Sequence, residues 1–135
     1  MTDLDLTNDI IDVRDIIARI EALESDIADL LEYLPAHVMV AQWVEYNDEL
    51  QALLKIMVEL ETVGGGDEQW RGEWYPITLI ADSYFTDYAR ELLEDCGDLP
   101  RELPHYIEID WDATARNIRV DYTPVTINNF TYWTR

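Results

Sequence analysis

Apolar residues along the first quarter of the chain fall on a helical rhythm. Between Thr7 and Leu34 they recur at Val13, Ile16, Ile20, Leu23, Ile27, Leu30 and Leu34, alternating spacings of three and four. That spacing predicts one helix with a heptad seam along one side. Thr7 or Asn8 supplies a cap, and Asp9 and Asp12 suit the positive end of the helix dipole. Pro35 stops the helix and opens another. The seam resumes at Ala36, Met39, Trp43, Tyr46, Leu50, Leu53, Met57 and Leu60, and the Gly64-Gly65-Gly66 run closes it. Two long helices joined by a short turn make an antiparallel helical hairpin. Ile17, Leu31, Val44 and Leu54 add apolar surface beside the seam, for burial against the C-terminal half or against a second copy in a homodimer.

After the glycines the pattern becomes mixed. Tyr75 to Ile80 reads as extended. Asp82 or Ser83 caps a helix with the apolar face Phe85, Tyr88, Ala89, Leu92 and Leu93, ended by Gly97. Leu99 to Pro104 carries two prolines and reads as loop, and Tyr106 to Ile109 as a short strand. Asp110 caps a helix running to about Val120. In the tail, Val125 and Ile127, then Asn128-Asn129, then Phe130, Tyr132 and Trp133, predict a β-hairpin, because Asn tolerates the positive φ of a tight turn. The expected class is α+β: an N-terminal antiparallel helical hairpin over residues 1–63, then a small α+β module over 64–135 with a C-terminal β-hairpin.

Composition changes the picture through charge. The 135 residues are 48% hydrophobic, enough for a core, yet 29 acidic residues face 9 basic ones, a net charge of −20. Self-repulsion on that scale opposes compaction. It argues against direct nucleic-acid binding, which requires Lys and Arg against phosphates, and against binding to anionic membranes. The expected partner is basic. One cysteine, Cys96, permits no internal disulfide, and its place on the apolar side of its helix predicts a buried thiol. The acidic N-terminus lacks a secretory pattern, and no apolar run has membrane-spanning length. The reading is a soluble protein of the bacterial cytoplasm.

The charge is unevenly placed. Segment sums are −8 over 1–33, −4 over 34–63, −7 over 64–100 and −1 over 101–135. On the first helix Asp12, Asp15, Glu21, Glu24, Asp26, Asp29 and Glu32 all avoid the seam. Like charges three or four positions apart repel by a few tenths of a kcal/mol, roughly, per pair. A solvated face would intersperse lysines, but the chain holds one, Lys55. Carboxylates on a rigid helix approximate a row of phosphates, and a basic DNA-binding groove accepts them through charge-assisted contacts. The expected partner-binding set is those seven acids with Asp67, Glu68, Trp70, Glu73, Trp74, Asp87, Glu91, Glu94 and Asp95. Trp70 and Trp74 enter as exposed aromatics able to stack on arginine. Trp43, Trp111 and Trp133 are assigned to the core.

No catalytic or cofactor-binding arrangement stands out. Glu108, Asp110 and Asp112 are spaced like metal ligands, but an EF-hand would need Gly at Ala115 and Glu at Asp121. They read as a helix cap with surface acids. His37 and His105 lack a helical partner for zinc, and the glycine run lacks the Lys-Ser/Thr of a phosphate loop.

One further pattern runs from Asp67 to Arg135. It consists of Glu73-Trp74-Tyr75-Pro76, Thr78-Leu79-Ile80, Ser83-Tyr84-Phe85, Tyr88-Ala89-Arg90-Glu91-Leu92, Ile109-Asp110-Trp111-Asp112 with Ala115-Arg116, Asp121-Tyr122-Thr123 and Tyr132-Trp133. This resembles the small acidic proteins of phages and prophages, some of them antirestriction proteins of the ArdA type. The resemblance implies a dimeric DNA mimic that occupies the DNA groove of type I restriction-modification enzymes, with no catalytic residue. Joined to the charge pattern, it gives a non-enzymatic anti-defence protein directed at a restriction-modification or CRISPR effector complex. The alternative is an immunity protein or antitoxin that neutralises a basic nuclease.

Overall fold

The computed structural model describes residues 4–33, 36–63, 66–99 and 102–135. The expected breaks at Leu34-Pro35 and Gly64-Gly65, and the seam side chains of Ala36 and Met39, lie outside the described residues. The chain is α+β and divides into two compact units, one holding Asp12–Ile77 and the other Thr7–Ile11 with Thr78–Arg135.

In the first unit α1 (Val13–Tyr33) packs against α2 (Ala36–Glu61) as the hairpin that the seams require. Val13, Ile16, Ile20 and Leu23 of α1 and Leu50, Leu53, Met57 and Leu60 of α2 are buried. Burial thins along α1 and back along α2. Ile27, Leu30 and Tyr46 are half-buried and Trp43, expected in the core, is 37% exposed. Of the apolar residues beside the seam, Ile17 is buried, whereas Leu31 and Val44 are exposed.

The start of α1 differs from expectation. Thr7 and Asn8 do not cap it; the helix begins at Val13, and Asp12 caps it by accepting the Arg14 N–H on Oδ1 at 2.9 Å. The residues just before are β1 (Ile10–Asp12). After α2 comes a hairpin of two short strands, β2 (Glu68–Trp70) and β3 (Glu73–Tyr75), with Trp70 opposite Glu73. Its two-residue turn, Arg71-Gly72, has φ of 50° and 83°, the pair of positive values that the twist of a two-residue hairpin favours. Tyr75 is buried and donates its hydroxyl to Glu61 Oε1 at 2.8 Å. Gly66, at φ 108°, lies against this segment: a Cβ there would sit 2.3 Å from the Tyr75 carbonyl carbon and oxygen.

The second unit is built on a four-stranded sheet of order β1-β4-β6-β5, with β4 at Thr78–Ala81, β5 at Thr123–Ile127 and β6 at Phe130–Thr134. The extended segment predicted from Tyr75 to Ile80 is thus two strands, separated at the buried Pro76, which has no N–H for a ladder. β4 and β5 both pair antiparallel with β6. Asn128 and Asn129 have φ of 52° and 70° and turn the last hairpin as predicted. Asp82–Tyr84 form a single 3₁₀ turn, then α3 runs Phe85–Cys96 and α4 Trp111–Arg119. Gly97 ends α3 in the left-handed conformation, and Asp110 caps α4 by accepting the Ala113 N–H at 3.0 Å.

Phe85, Ile80, Ala89 and Ala115 form one buried cluster of this unit, with Tyr84, Tyr88, Ile118, Tyr122 and Trp133 around them. Three expectations fail here. Asp82 and Ser83 do not cap α3, whose preceding residue Tyr84 makes no side-chain cap bond. Tyr106–Ile109 form no strand, because Ile107 N–H instead turns back to the Pro104 carbonyl at 2.9 Å. Cys96, on the last turn of α3, is exposed rather than buried.

The two glycines of the β2–β3 region separate backbone strain from close packing. Gly66→Ala is expected to destabilise the protein by more than about 2 kcal/mol, because a left-handed φ is combined with collision against backbone. Gly72→Ala, with open space around it, should cost only about 1 kcal/mol. Urea unfolding of both variants measures the difference.

Candidate functional site: an acidic surface in two parts

Because the apolar residues of α1 form a narrow seam, its acids are left on the remaining circumference. Asp15, Asp26, Asp29 and Glu32 are exposed there. The other three have internal partners. Asp12 forms an ion pair with Arg14 at 2.7 Å, and that hydrogen bond holds its carboxyl below the usual value. Glu21 Oε1 accepts the Trp70 indole N–H at 3.2 Å. Glu24 Oε1 pairs with the Arg71 guanidinium, which lies 4.2 Å from the centre of the Trp70 ring. The tip of the β2–β3 hairpin is therefore fastened to the α1 carboxylates by one arginine and one indole.

Strand register decides what the two tryptophans do. Trp70 faces Glu73 across the hairpin and Trp74 faces Gln69, so the two indoles project from opposite faces. Trp70 is half-buried, edge-on to Tyr75 at 6.0 Å, while Trp74 is 52% exposed. Sequence placed both in one exposed cluster, and the structure separates them. Asp67 and Glu73 are exposed and Glu68 is half-buried.

The second part belongs to the other unit. Asp87, Glu91, Glu94 and Asp95 are all exposed on α3. Glu91 accepts the Tyr84 hydroxyl on both oxygens at 2.9 Å, which raises the phenol's pKa, and Glu94 pairs with Arg90 one turn earlier at 3.2 Å.

Two features were not singled out from sequence. Glu49 on α2 receives a two-pronged contact from Arg19, at 2.6 and 2.8 Å, and Arg19 is the more covered partner. Glu49 follows Arg19 by 30 positions, so nothing local marks the pair. The other feature is Asp82, whose Oδ1 accepts the Trp133 indole N–H at 2.8 Å and lies 3.6 Å from Arg119. Among the described residues no three His, Cys, Asp or Glu side chains are grouped to hold a metal ion. Asp110 serves as a cap, and Asp112 is 3.5 Å from the Thr86 hydroxyl.

A family model described as antirestriction protein (ArdA) matches residues 2–131. The match takes in the helical hairpin as well as the C-terminal stretch on which the sequence resemblance rested. No curated protein and no solved structure matches the chain.

The Arg19–Glu49 pair has a definite pH signature. Contact with Arg19 lowers the Glu49 pKa from its ordinary 4.5. The pair's stabilisation is therefore present above that value and is lost as the pH falls through the lowered one. Arg19→Met is expected to cost about 1 kcal/mol near neutral pH, the scale of a partly exposed ion pair. The gap between variant and wild type should narrow as the pH falls below the ordinary carboxylate value, as read by urea unfolding across the pH range.

Proposed function

From the premise that this chain belongs to the ArdA antirestriction family, we propose that it blocks a host restriction enzyme by presenting carboxylates where that enzyme receives DNA phosphates. The observation that carries this reading is the row of exposed acids on α1, Asp15, Asp26, Asp29 and Glu32, held on a helix whose opposite side is packed. A helix advances about 1.5 Å per residue, so Asp12 to Glu32 spans about 30 Å. Two of the seven carboxylates over that length are paired with Arg14 and Arg71, and the other five average one per roughly 6 Å, against 3.4 Å per charge of a single DNA strand. A basic groove that grips one strand backbone would meet on α1 a row of the same sign at somewhat more than half that density.

In this reading the protein is an inhibitor that works by occupancy, without catalysing a reaction. The partner-binding set extends to Asp67, Glu68, Glu73 and Trp74 beside the hairpin, and to Asp87, Glu91, Glu94 and Asp95 on α3. CRISPR effectors offer basic channels of the same kind, and a toxic nuclease would suit the same charges. The family match favours the restriction enzyme as partner.

The test is inhibition of DNA cleavage by a purified type I restriction enzyme. Reversing Asp15, Asp26, Asp29 and Glu32 together to Lys should raise the concentration for half-inhibition by at least about tenfold, since both attraction and steering are lost. Wild-type inhibition should weaken as salt rises from about 0.05 to about 0.3 M. Undiminished inhibition by the fourfold variant would show that charge on α1 is not the means of binding.

A further inference from the structure

The second unit contains a cavity of about 280 Å³, lined by Asp9, Asp82, Ser83, Phe130, Thr131 and Tyr132 among others. Its walls are fixed by backbone. Ala81 N–H donates to the Asp9 carbonyl at 2.7 Å, and the Tyr132 hydroxyl donates to the Asn8 carbonyl at 3.3 Å. Residues 128 and 129, both at positive φ, turn the chain so that Phe130 stands at the rim, 60% exposed. Among the described residues, no basic side chain lines the cavity.

Its two carboxylates are differently placed. Asp82 uses Oδ1 for both Trp133 and Arg119, leaving Oδ2 without a protein partner among the described residues. Asp9 enters no ion pair among the described residues, and its charge is felt by the Tyr84 hydroxyl. The lining thus combines two carboxylates, hydroxyl acceptors from Ser83 and Thr131, and an exposed aromatic ring. Pockets for small molecules begin at roughly 300 Å³, so this one suits a single side chain. A guanidinium satisfies the whole set: its planar fork serves carboxylates while its face lies on an aromatic ring, which an ammonium does less well.

We propose that this cavity is a seat for one arginine side chain of the basic partner. The seat lies outside the acids assigned above to partner binding. It relies on the preceding functional reading only for the source of the arginine, because the binding of a free arginine derivative is a property of the cavity alone.

The experiment is a titration of the ¹⁵N-labelled full chain with N-acetyl-arginine N′-methylamide, followed by amide shifts. The lysine and citrulline analogues serve as comparison probes. The expected result is saturable shifts confined to residues 7–11, 81–83 and 129–132, with arginine ahead of lysine and citrulline inert. Asp9→Asn and Phe130→Ala alter exposed side chains, so both should stay folded, and each should weaken the arginine probe by about fivefold. Non-saturating shifts spread over the acidic helices, equal response to lysine, or unchanged binding in both variants would overturn the proposal. If the cavity binds arginine while the protein fails to inhibit cleavage, the functional reading falls and the cavity stands. Inhibition with an empty cavity gives the reverse.

Discussion

A chain with net charge −20 folds only if something offsets the repulsion among its carboxylates, and cations are too few to do so. Five arginines, at 14, 19, 71, 90 and 119, each form an ion pair with a carboxylate. Most of these pairs are well exposed, and such pairs each contribute little. Apolar burial carries the load instead. The four α1 seam residues from Val13 to Leu23 are at 0% exposure, against Leu53, Met57 and Leu60 at 2% or less. Full burial of each side chain of this size contributes roughly 1.5–3 kcal/mol, whereas each like-charge pair along the helix costs a few tenths. The seam wins by magnitude, and it leaves the acids outside.

The arginines matter more for position than for strength. Arg14 secures the cap of α1 through Asp12, and Arg19 links the two helices through Glu49. Arg71 fastens the β2–β3 hairpin to Glu24. Arg119, over the rings of Phe85 and Trp133, joins the aromatic core of the second unit to Asp82. These four cations sit where two elements meet or a helix begins, whereas Arg90 pairs within α3, and the long acidic stretches between them are left uncompensated. A surface of one sign follows from this distribution, because few positive groups remain to dilute it.

Elements with strong periodicity or unambiguous stop signals were legible in the sequence. Both hairpin helices, the Asp110 cap, the Gly97 stop and the Asn128-Asn129 turn are local patterns with local causes. The three-residue strands were not. Ile10 and Ile11 of β1 run straight into the helical rhythm of α1, and only the neighbouring strand β4 makes them extended. The β2–β3 hairpin hid in an acidic segment because Arg at 71 gives no hint of a positive φ. Trp43 fits the seam by spacing, yet the seam loses cover along its helix. Among the candidate site residues, exposure of the α1 acids followed from their avoidance of the seam. The partners of Glu21 and Glu24, 49 and 47 positions away, come from tertiary structure alone.

On the function proposed above, packing and recognition are linked by one piece of geometry. A disordered acidic chain could carry the same charges, but ordering it on a partner would cost roughly 1–2 kcal/mol per residue in backbone entropy. On α1 that cost has already been met during folding by the buried seam. The helix also fixes the interval between carboxylates, which a groove shaped for phosphates needs if several contacts are to form at once. Weakening the seam at Ile16 or Ile20 would leave every carboxylate in the sequence and still loosen the row. On the function proposed above, the apolar side of α1 sets the affinity of its acidic side without touching the partner.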